Sequence, residues 1–117
     1  MKIGIVGSRR RHCKDLVEAL VAEFPQGTVV VSGGCRGVDS WAAEAAAKRG
    51  LGVIVYAPDL PSGNSPRWEF TKAYFARNKL IAENSDVLYA FVSPDRKGGT
   101  ENTIKHAKEL GRRIYIK

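Results

Sequence analysis

The sequence lacks the long apolar run that a membrane-spanning helix requires, and its only two cysteines, Cys13 and Cys35, do not form a CxxC pair. Its first residues lead directly into a short apolar strand, without the hydrophobic region and cleavage site of a signal peptide. These absences argue against a membrane protein and against a disulfide-stabilised secreted domain. We therefore expect a cytoplasmic location, reduced thiols and no membrane partner.

Several motifs of catalysis and cofactor binding are also absent. The chain has no GxGxxG turn after its first strand, no GxxxxGK[ST] loop, no HExxH and no GxSxG. Nicotinamide-binding Rossmann proteins, P-loop proteins, zinc peptidases and esterases built on these motifs are thereby disfavoured. Cys13, Cys35 and His12 could approach one another, but their spacing matches no metal-ligand pattern, so we expect no metal site and no cofactor.

Positive charge, by contrast, is in excess. The 117 residues include 19 lysines and arginines against 12 aspartates and glutamates, which gives a formal net charge of +7 at pH 7. Such a balance is typical of proteins that bind nucleic acid or another polyphosphate, although many basic proteins bind neither.

Short apolar runs alternate with helical patterns along the whole chain. We predict strands at 2–6, 28–31, 53–56, 87–92 and 113–116, and helices at 14–24, 38–49, 68–83 and 100–110. An interruption of the third helix near Arg77 is left open. Continuous apolar strands that alternate with helices predict a parallel sheet covered on both faces. The expected fold is therefore α/β, a Rossmann-like, doubly wound, mostly parallel five-stranded sheet, in a single domain over residues 1–117.

Three glycine-bearing turns follow predicted strands, and each leads into a predicted helix. They read Gly7-Ser8-Arg9, Ser32-Gly33-Gly34-Cys35-Arg36-Gly37-Val38-Asp39 and Lys97-Gly98-Gly99-Thr100. Glycine lets backbone amides approach a ligand closely, and the start of a helix carries partial positive charge. Because ligands bind beyond the carboxyl ends of parallel strands, we expect the three turns to form one phosphate site.

Basic residues gather at the same predicted edge of the sheet: Arg9, Arg10, Arg11, Arg36, Arg67, Arg96 and Lys97. Arginine suits bidentate contact with phosphate, and we favour Arg9 and Arg77 as anion ligands. Arg10 and Arg11 are interpreted as solvated or as loosely electrostatic. Asp39 is interpreted as a helix cap and Glu101 as a first-turn residue favoured by the helix dipole, so both are weak candidates for catalysis.

The ordered motifs Gly-Ser-Arg, Ser-Gly-Gly-x-Arg-Gly-x-Asp, Arg-Asn and Gly-Gly-Thr resemble those of the SLOG superfamily of Rossmann-like proteins. Two branches are most similar: the core of the DNA-processing protein A (DprA/Smf) family, which binds single-stranded DNA, and the small YspA/YpsA-related SLOG proteins, proposed to bind nucleotide-derived ligands. The resemblance extends from Ile3 to about Ile116. The ligand- or phosphate-binding residues that it implies are Gly7, Ser8, Arg9, Ser32, Gly33, Gly34, Arg36, Gly37, Asp39, Arg77, Asn78, Gly98, Gly99 and Thr100.

The resemblance implies a domain that binds the phosphate of a nucleotide or of a nucleic acid, with single-stranded nucleic acid as one partner. The alternative is an enzyme that hydrolyses a nucleotide-derived substrate, as the phosphoribohydrolase branch does by N-glycosidic cleavage. That branch carries Pro-Gly-Gly-x-Gly-Thr-x-x-Glu, whereas Thr103 stands at the glutamate position here and Glu101 is out of register. The binding domain is therefore the preferred hypothesis, and whether any catalysis occurs stays open.

Large aromatic side chains predict a further property. Trp68, Phe70, Tyr74 and Phe75 follow a proline-rich loop at residues 58–66, and they either pack in the core or stack on bases. Together with Trp41 they give more apolar surface than a small sheet covers, so we expect a homo-oligomer.

Overall fold

A computed structural model describes residues 1–117 as a five-stranded parallel sheet with helices on both faces. The strands are β1 (Lys2–Gly7), β2 (Val29–Ser32), β3 (Gly52–Val55), β4 (Val87–Phe91) and β5 (Arg113–Ile116). The helices are α1 (Lys14–Ala22), α2 (Val38–Lys48), α3 (Arg67–Glu83) and α4 (Gly99–Glu109). The predicted α/β, Rossmann-like fold is confirmed. No helix combines the length and the apolar character needed to cross a lipid bilayer.

The strand order is β3-β2-β1-β4-β5, with β1 at the centre. β1 pairs in parallel with β2 on one side and with β4 on the other. After β3 the chain crosses back over the centre of the sheet and places β4 on the other side of β1. In open parallel sheets the crevice beyond the carboxyl ends of such a pair of strands is where ligands bind.

Each face of the sheet has its own apolar core, because successive strand residues point to opposite faces. On one face, Ile3 and Ile5 of β1 pack in a cluster with Val17 of α1 and Ala42 of α2. On the other face, residues of β1 and β4 pack against α3 and α4 in a second cluster. The two helix pairs thus leave the carboxyl edge of the sheet open between them.

Helix α3 is continuous from Arg67 to Glu83, so no interruption occurs near Arg77. The apolar pattern weakens there because two polar residues, Arg77 and Asn78, occupy inward-facing positions and are buried. Their side chains bond to neighbouring turns instead of facing water. The local break in hydrophobicity therefore marks a tertiary contact within an intact helix.

Gly7 lies where the end of β1 meets the start of α2, and a methyl group on it would lie 2.5 Å from Cγ2 of Val38. We expect Gly7→Ala to push α2 away from the sheet and to lower the free energy of unfolding by about 1–3 kcal/mol, as overpacking does. Urea denaturation measures this change. Gly63→Ala is the matched control, because no heavy atom lies within 4 Å of the added methyl group. Equal stability of both variants would contradict the prediction.

Candidate ligand-binding site

A cavity of about 520 Å³ opens beyond the carboxyl ends of β1 and β4. Its walls come from the turn after β1, from the inner side of α3 and from the turn that leads into α4. The sequence-predicted site residues that line it are Gly7, Ser8, Arg9, Asp39, Arg77, Asn78, Gly98, Gly99 and Thr100. The structure thus brings the first and third glycine turns together with the Arg-Asn pair.

The turn between β2 and α2 contributes less to the wall than its motif implies. The residues of this turn that do not line the cavity are Ser32, Gly33, Gly34, Arg36 and Gly37. Ser32 is fully buried, and its hydroxyl donates to the backbone oxygen of Asp39 at 3.0 Å. Gly34 has a φ of +73°, a conformation that favours glycine whether or not a ligand is near. This turn therefore supports the start of α2 rather than enclosing the cavity.

Arg77 is only 7% exposed, and its guanidinium ties α3 to the turn before α2. Nη1 donates to the backbone oxygen of Gly33 at 2.5 Å, Nε donates to Oδ1 of Asn78 at 2.9 Å, and Nη2 lies 3.5 Å from Sγ of Cys35. A guanidinium has five N–H groups, so one on each terminal nitrogen has no protein partner. Arg77 is therefore primarily a structural residue that retains capacity for a ligand.

Asn78 extends the same connection to α4. Its Nδ2 donates to the backbone oxygen of Gly99 at 3.3 Å and to Oδ1 of Asn102 at 3.2 Å. Consecutive residues of α3 thus bind the second and third glycine turns. The separation of these turns, and with it the width of the cavity, depends on the Arg77–Asn78 pair.

Asp39 is the buried acidic group of the site, at 4% exposed. Oδ2 accepts a hydrogen bond from the Cys35 amide at 3.3 Å. Burial raises the pKa of Asp39 from 3.8 to about 6, although the Cys35 amide, the Arg77 charge and the nearby amides of Gly33 and Gly7 lower it. The N-cap of α2 is Gly37, so the interpretation of Asp39 as the cap is wrong.

The turn after β1 places its three arginines in three different environments. Arg9 is exposed at the cavity and forms no ion pair. Arg10 forms an exposed ion pair with Asp95, and the resulting hydrogen bond holds the pKa of Asp95 well below its usual range. Ser8 offers a ligand its side chain only, because its amide donates to the backbone oxygen of Phe91 at 2.9 Å.

The interpretation of Arg11 as solvated or loosely electrostatic is wrong. Its Nη1 donates to the backbone oxygens of Val92 at 3.0 Å and of Lys117 at 2.9 Å, and its guanidinium lies over the ring of Phe91. Arg11 therefore holds the ends of β4 and β5 together and is not available for a ligand.

The turn into α4 presents helix amides to the cavity. The amides of Gly99 and Thr100 have no backbone acceptor, as expected in the first turn of a helix. Lys97 lines the cavity beside them and forms no ion pair. Glu101 lies outside the lining and binds Arg96 through two hydrogen bonds of 2.8 and 3.0 Å.

Sequence reasoning missed several lining residues as site members: Val6, Thr71, Tyr74, Phe75, Ile81, Asp95 and Thr103. Arg10, Cys35 and Lys97 also line the cavity, and the sequence placed them at this edge or within a glycine turn without naming them as ligands. Tyr74 and Phe75 carried a signal, since aromatic residues after the proline-rich loop suggested base stacking as an alternative to the core. Cys35 carried none, because it occupies the variable position of its motif. Both cysteines are free thiols, with Cys13 buried in the core and Cys35 half-buried at the cavity.

Comparison with known proteins matches the sequence model of the YspA, cpYpsA-related SLOG family to residues 1–63, slightly more than half of the chain. No curated protein matches significantly. Among solved structures, DNA processing protein A (DprA) from Streptococcus pneumoniae matches with a TM-score of 0.81 and 21% identity, over 98% of this chain and 49% of that one. The chain thus spans about half of the length of the pneumococcal protein, and the likeness shows the fold.

A second solved structure, a PilT N-terminus domain protein from the hyperthermophilic archaeon Sulfolobus solfataricus, is 20% identical over 97% of this chain and 86% of that one. Its TM-score of 0.35 is too low to support a structural comparison.

The raised pKa of Asp39 predicts how stability depends on pH. Asp39 stabilises the fold fully below about pH 4, and this contribution is lost as the pH rises through about 6. Asp39→Asn keeps the shape and removes the charge, so at pH 7.5 it should be more stable than the native protein by on the order of 3 kcal/mol, from about two pKa units. Urea denaturation between pH 4 and 7.5 should show the difference vanish towards pH 4. Asp59→Asn, in an exposed loop, is the control, and a pH-independent difference for Asp39→Asn would refute the assignment.

Proposed function

This chain belongs to the YspA, cpYpsA-related SLOG family, and on that premise we propose that it binds a nucleotide or nucleotide-derived molecule in the cavity between β1 and β4. One observation carries the proposal: cations without ion-pair partners and unpaired helix amides line the same cavity. The cations are Arg9 and Lys97, and the amides are those of Gly99 and Thr100. Such a combination suits a phosphate group.

The size and the opposite wall of the cavity support a whole nucleotide as the ligand. A volume of about 520 Å³ is within the range of small-molecule sites. Tyr74 and Phe75 line the wall formed by α3, where an aromatic side chain can stack on a base. Arg10, in the turn after β1, donates a hydrogen bond to Asp95, in the turn after β4, and both residues line the cavity. A ligand phosphate that displaces Asp95 would gain Arg10 as a further partner.

Two substitutions test the proposed phosphate site formed by Arg9, Lys97 and the amides of Gly99 and Thr100. Arg9→Ala should weaken binding of nucleoside phosphates about 10-fold to 100-fold, because it removes a charged hydrogen-bond donor. Gly99→Val should also weaken binding while keeping the fold, since Gly99 has no positive φ and an added Cβ would lie 3.8 Å from Nδ2 of Asn78. Isothermal titration calorimetry measures both effects.

Arg113→Ala is the matched control for charge, because Arg113 is exposed at the start of β5, on the opposite edge of the sheet. Equal weakening by Arg9→Ala and Arg113→Ala would show that only the overall charge matters and would remove the support for this site.

A hydrolase is the second candidate, and the environment of Asp39 favours it. A carboxyl group in the cavity with a pKa of about 6 is suited to general acid–base catalysis near neutral pH. In such a reaction water would replace the base at the sugar C1′, and the base would leave with a proton. Glu101 is a poor candidate for this role, because it is paired with Arg96 outside the cavity lining.

Release of free base from nucleoside monophosphates, followed by chromatography, separates the two candidates. If the protein is a hydrolase, Asp39→Asn should lower turnover about 10²-fold to 10⁴-fold, whereas Glu101→Gln should leave it unchanged. If it is a binding domain, no base is released by any variant. Loss of turnover in Glu101→Gln alone would contradict the assignment of Asp39.

Single-stranded nucleic acid is an alternative ligand. On α3, Trp68 is 62% and Phe75 45% exposed, and Lys72 and Lys79 are exposed on the same helix. The fold is shared with a protein named for DNA processing, which makes DNA a sensible probe. The homo-oligomer that would cover Trp68 stays a prediction. The organisation of the chain as a single domain also stays a prediction.

Binding of an oligonucleotide by this face should weaken linearly on a log–log plot against salt concentration, since lysines displace counterions. Replacing both Lys72 and Lys79 by Ala should reduce that slope by about 1–2, by the same relation. Fluorescence anisotropy with a labelled oligonucleotide measures it. A slope unchanged in the double variant would exclude α3 as the contact surface.

A further inference from the structure

A carboxylate of the protein itself occupies an anion position at the cavity. Asp95 lies in the turn after β4 and lines the cavity together with Arg10 and Lys97. Its Oδ1 accepts hydrogen bonds from the guanidinium of Arg10, from Oγ of Ser93 at 2.7 Å and from the Lys97 amide at 3.2 Å. A guanidinium, a hydroxyl and a backbone amide are donors that proteins commonly offer to phosphate. The carboxylate of Asp95 therefore holds donors that suit a phosphate group.

The negative charge of Asp95 is permanent at neutral pH. The hydrogen bonds from Arg10 and then from Ser93 hold the pKa of Asp95 well below its usual range. Asp95 also precedes Gly99, whose amide has no backbone acceptor, by only four residues. The turn that leads to the proposed phosphate site thus carries a charge that repels an incoming anion and keeps Arg10 engaged.

The pair of Arg10 and Asp95 is weak enough for a ligand to replace it. The two side chains are 58% and 42% exposed, and ion pairs in such positions contribute little because water and salt screen them. Asp95 receives one hydrogen bond from Arg10, whereas a phosphate group carries more charge and can accept two parallel bonds from a guanidinium. Exchange of the carboxylate for a phosphate therefore favours the ligand.

A second pair of an arginine with an acid lies in the same turn but outside the cavity lining. Glu101 binds Arg96 through hydrogen bonds of 2.8 and 3.0 Å. Neither of these two residues lines the cavity, whereas Arg10 and Asp95 both do. The two pairs thus share their chemistry and differ in their access to a ligand, which makes Glu101 a matched control for Asp95.

We propose that Asp95 is an internal competitor of the ligand phosphate: in the free protein its carboxylate holds Arg10 and the Lys97 amide, and a bound phosphate displaces it and takes over these donors. This inference rests on the proposed binding of a nucleotide in the cavity. The competition lowers the affinity for ligands that carry a phosphate and leaves the affinity for ligands without one unchanged. Asp95 therefore sets how tightly the site holds an anion.

The first test compares the native protein with Asp95→Asn. Asparagine keeps an Oδ1 that can accept from Ser93 and from the Lys97 amide, so the turn retains its hydrogen bonds. The four common nucleoside 5′-monophosphates, the matching nucleosides and inorganic phosphate are titrated by calorimetry into both proteins. The monophosphates and inorganic phosphate should bind Asp95→Asn about 3-fold to 10-fold more tightly, a modest gain because the lost ion pair is exposed. The nucleosides should bind both proteins equally.

Displacement also predicts that two substitutions are not additive. Arg10→Ala should weaken binding of the monophosphates less in the native protein, where Arg10 must first leave Asp95, than in Asp95→Asn, where Arg10 is free for the phosphate. A double-mutant cycle measures this coupling, which should be about 2-fold to 5-fold in affinity. Equal effects of Arg10→Ala in both proteins would show that the two charges act independently and would overturn the displacement.

The remaining results separate the inference from the function on which it rests. Glu101→Gln should leave every affinity unchanged, and a gain equal to that of Asp95→Asn would reduce the effect to overall charge and overturn the inference. If the monophosphates bind the native protein but bind Asp95→Asn no more tightly, the competition is overturned while nucleotide binding stands. If they bind Asp95→Asn alone, both are supported. If they bind neither protein, the proposed function itself fails, and the inference with it.

Discussion

The buried guanidinium of Arg77 is the constraint on which the rest of the site depends. Helix α3 connects β3 at one edge of the sheet to β4 on the other side of the centre, and its Ile81 and Ala82 pack in the apolar core. The hydrogen bonds of Arg77 and Asn78 add contacts to the turns, one to each of two glycine turns. A lysine could not replace this geometry, because its single ammonium lacks the planar set of donors that reaches three acceptors at once.

The electrostatics of the site follow from which charges are already paired. Asp95 is neutralised by Arg10, and Glu101 by Arg96, so those two arginines and two acids largely cancel at the rim. Arg9, Arg77 and Lys97 remain as positive charge, and Asp39 as negative charge. The net charge of +7 therefore overstates how basic this cavity is.

The fold was predictable because its signals are local and repeated: apolar strands, helical stripes and glycines at strand ends. The bounds of β5 agree with the prediction, and the other strands begin or end within one residue of it. The sequence predicted membership of the site both for glycines, such as Gly98 and Gly99, and for polar side chains, such as Arg9 and Asn78. The functions of Arg11 and Arg77 depend on partners distant in sequence, Val92 for Arg11 and Gly33 for Arg77, which no local pattern reveals. The interruption predicted in α3 has the same cause, because the buried polar residues Arg77 and Asn78 contact turns distant in sequence.

The central position of β1 also bears on the order in which the molecule folds. β1 and β2 are joined by one helix, whereas β1 and β4 become neighbours only after α2, β3 and α3 have been passed. Contacts between segments so far apart in the chain are slow to form, because the closure of a long loop must come first. The cavity lies between β1 and β4 and requires α3 in place. Ligand binding would therefore require that β1 and β4 have paired, and a partly folded chain with only its β1–β2 half assembled would have no site.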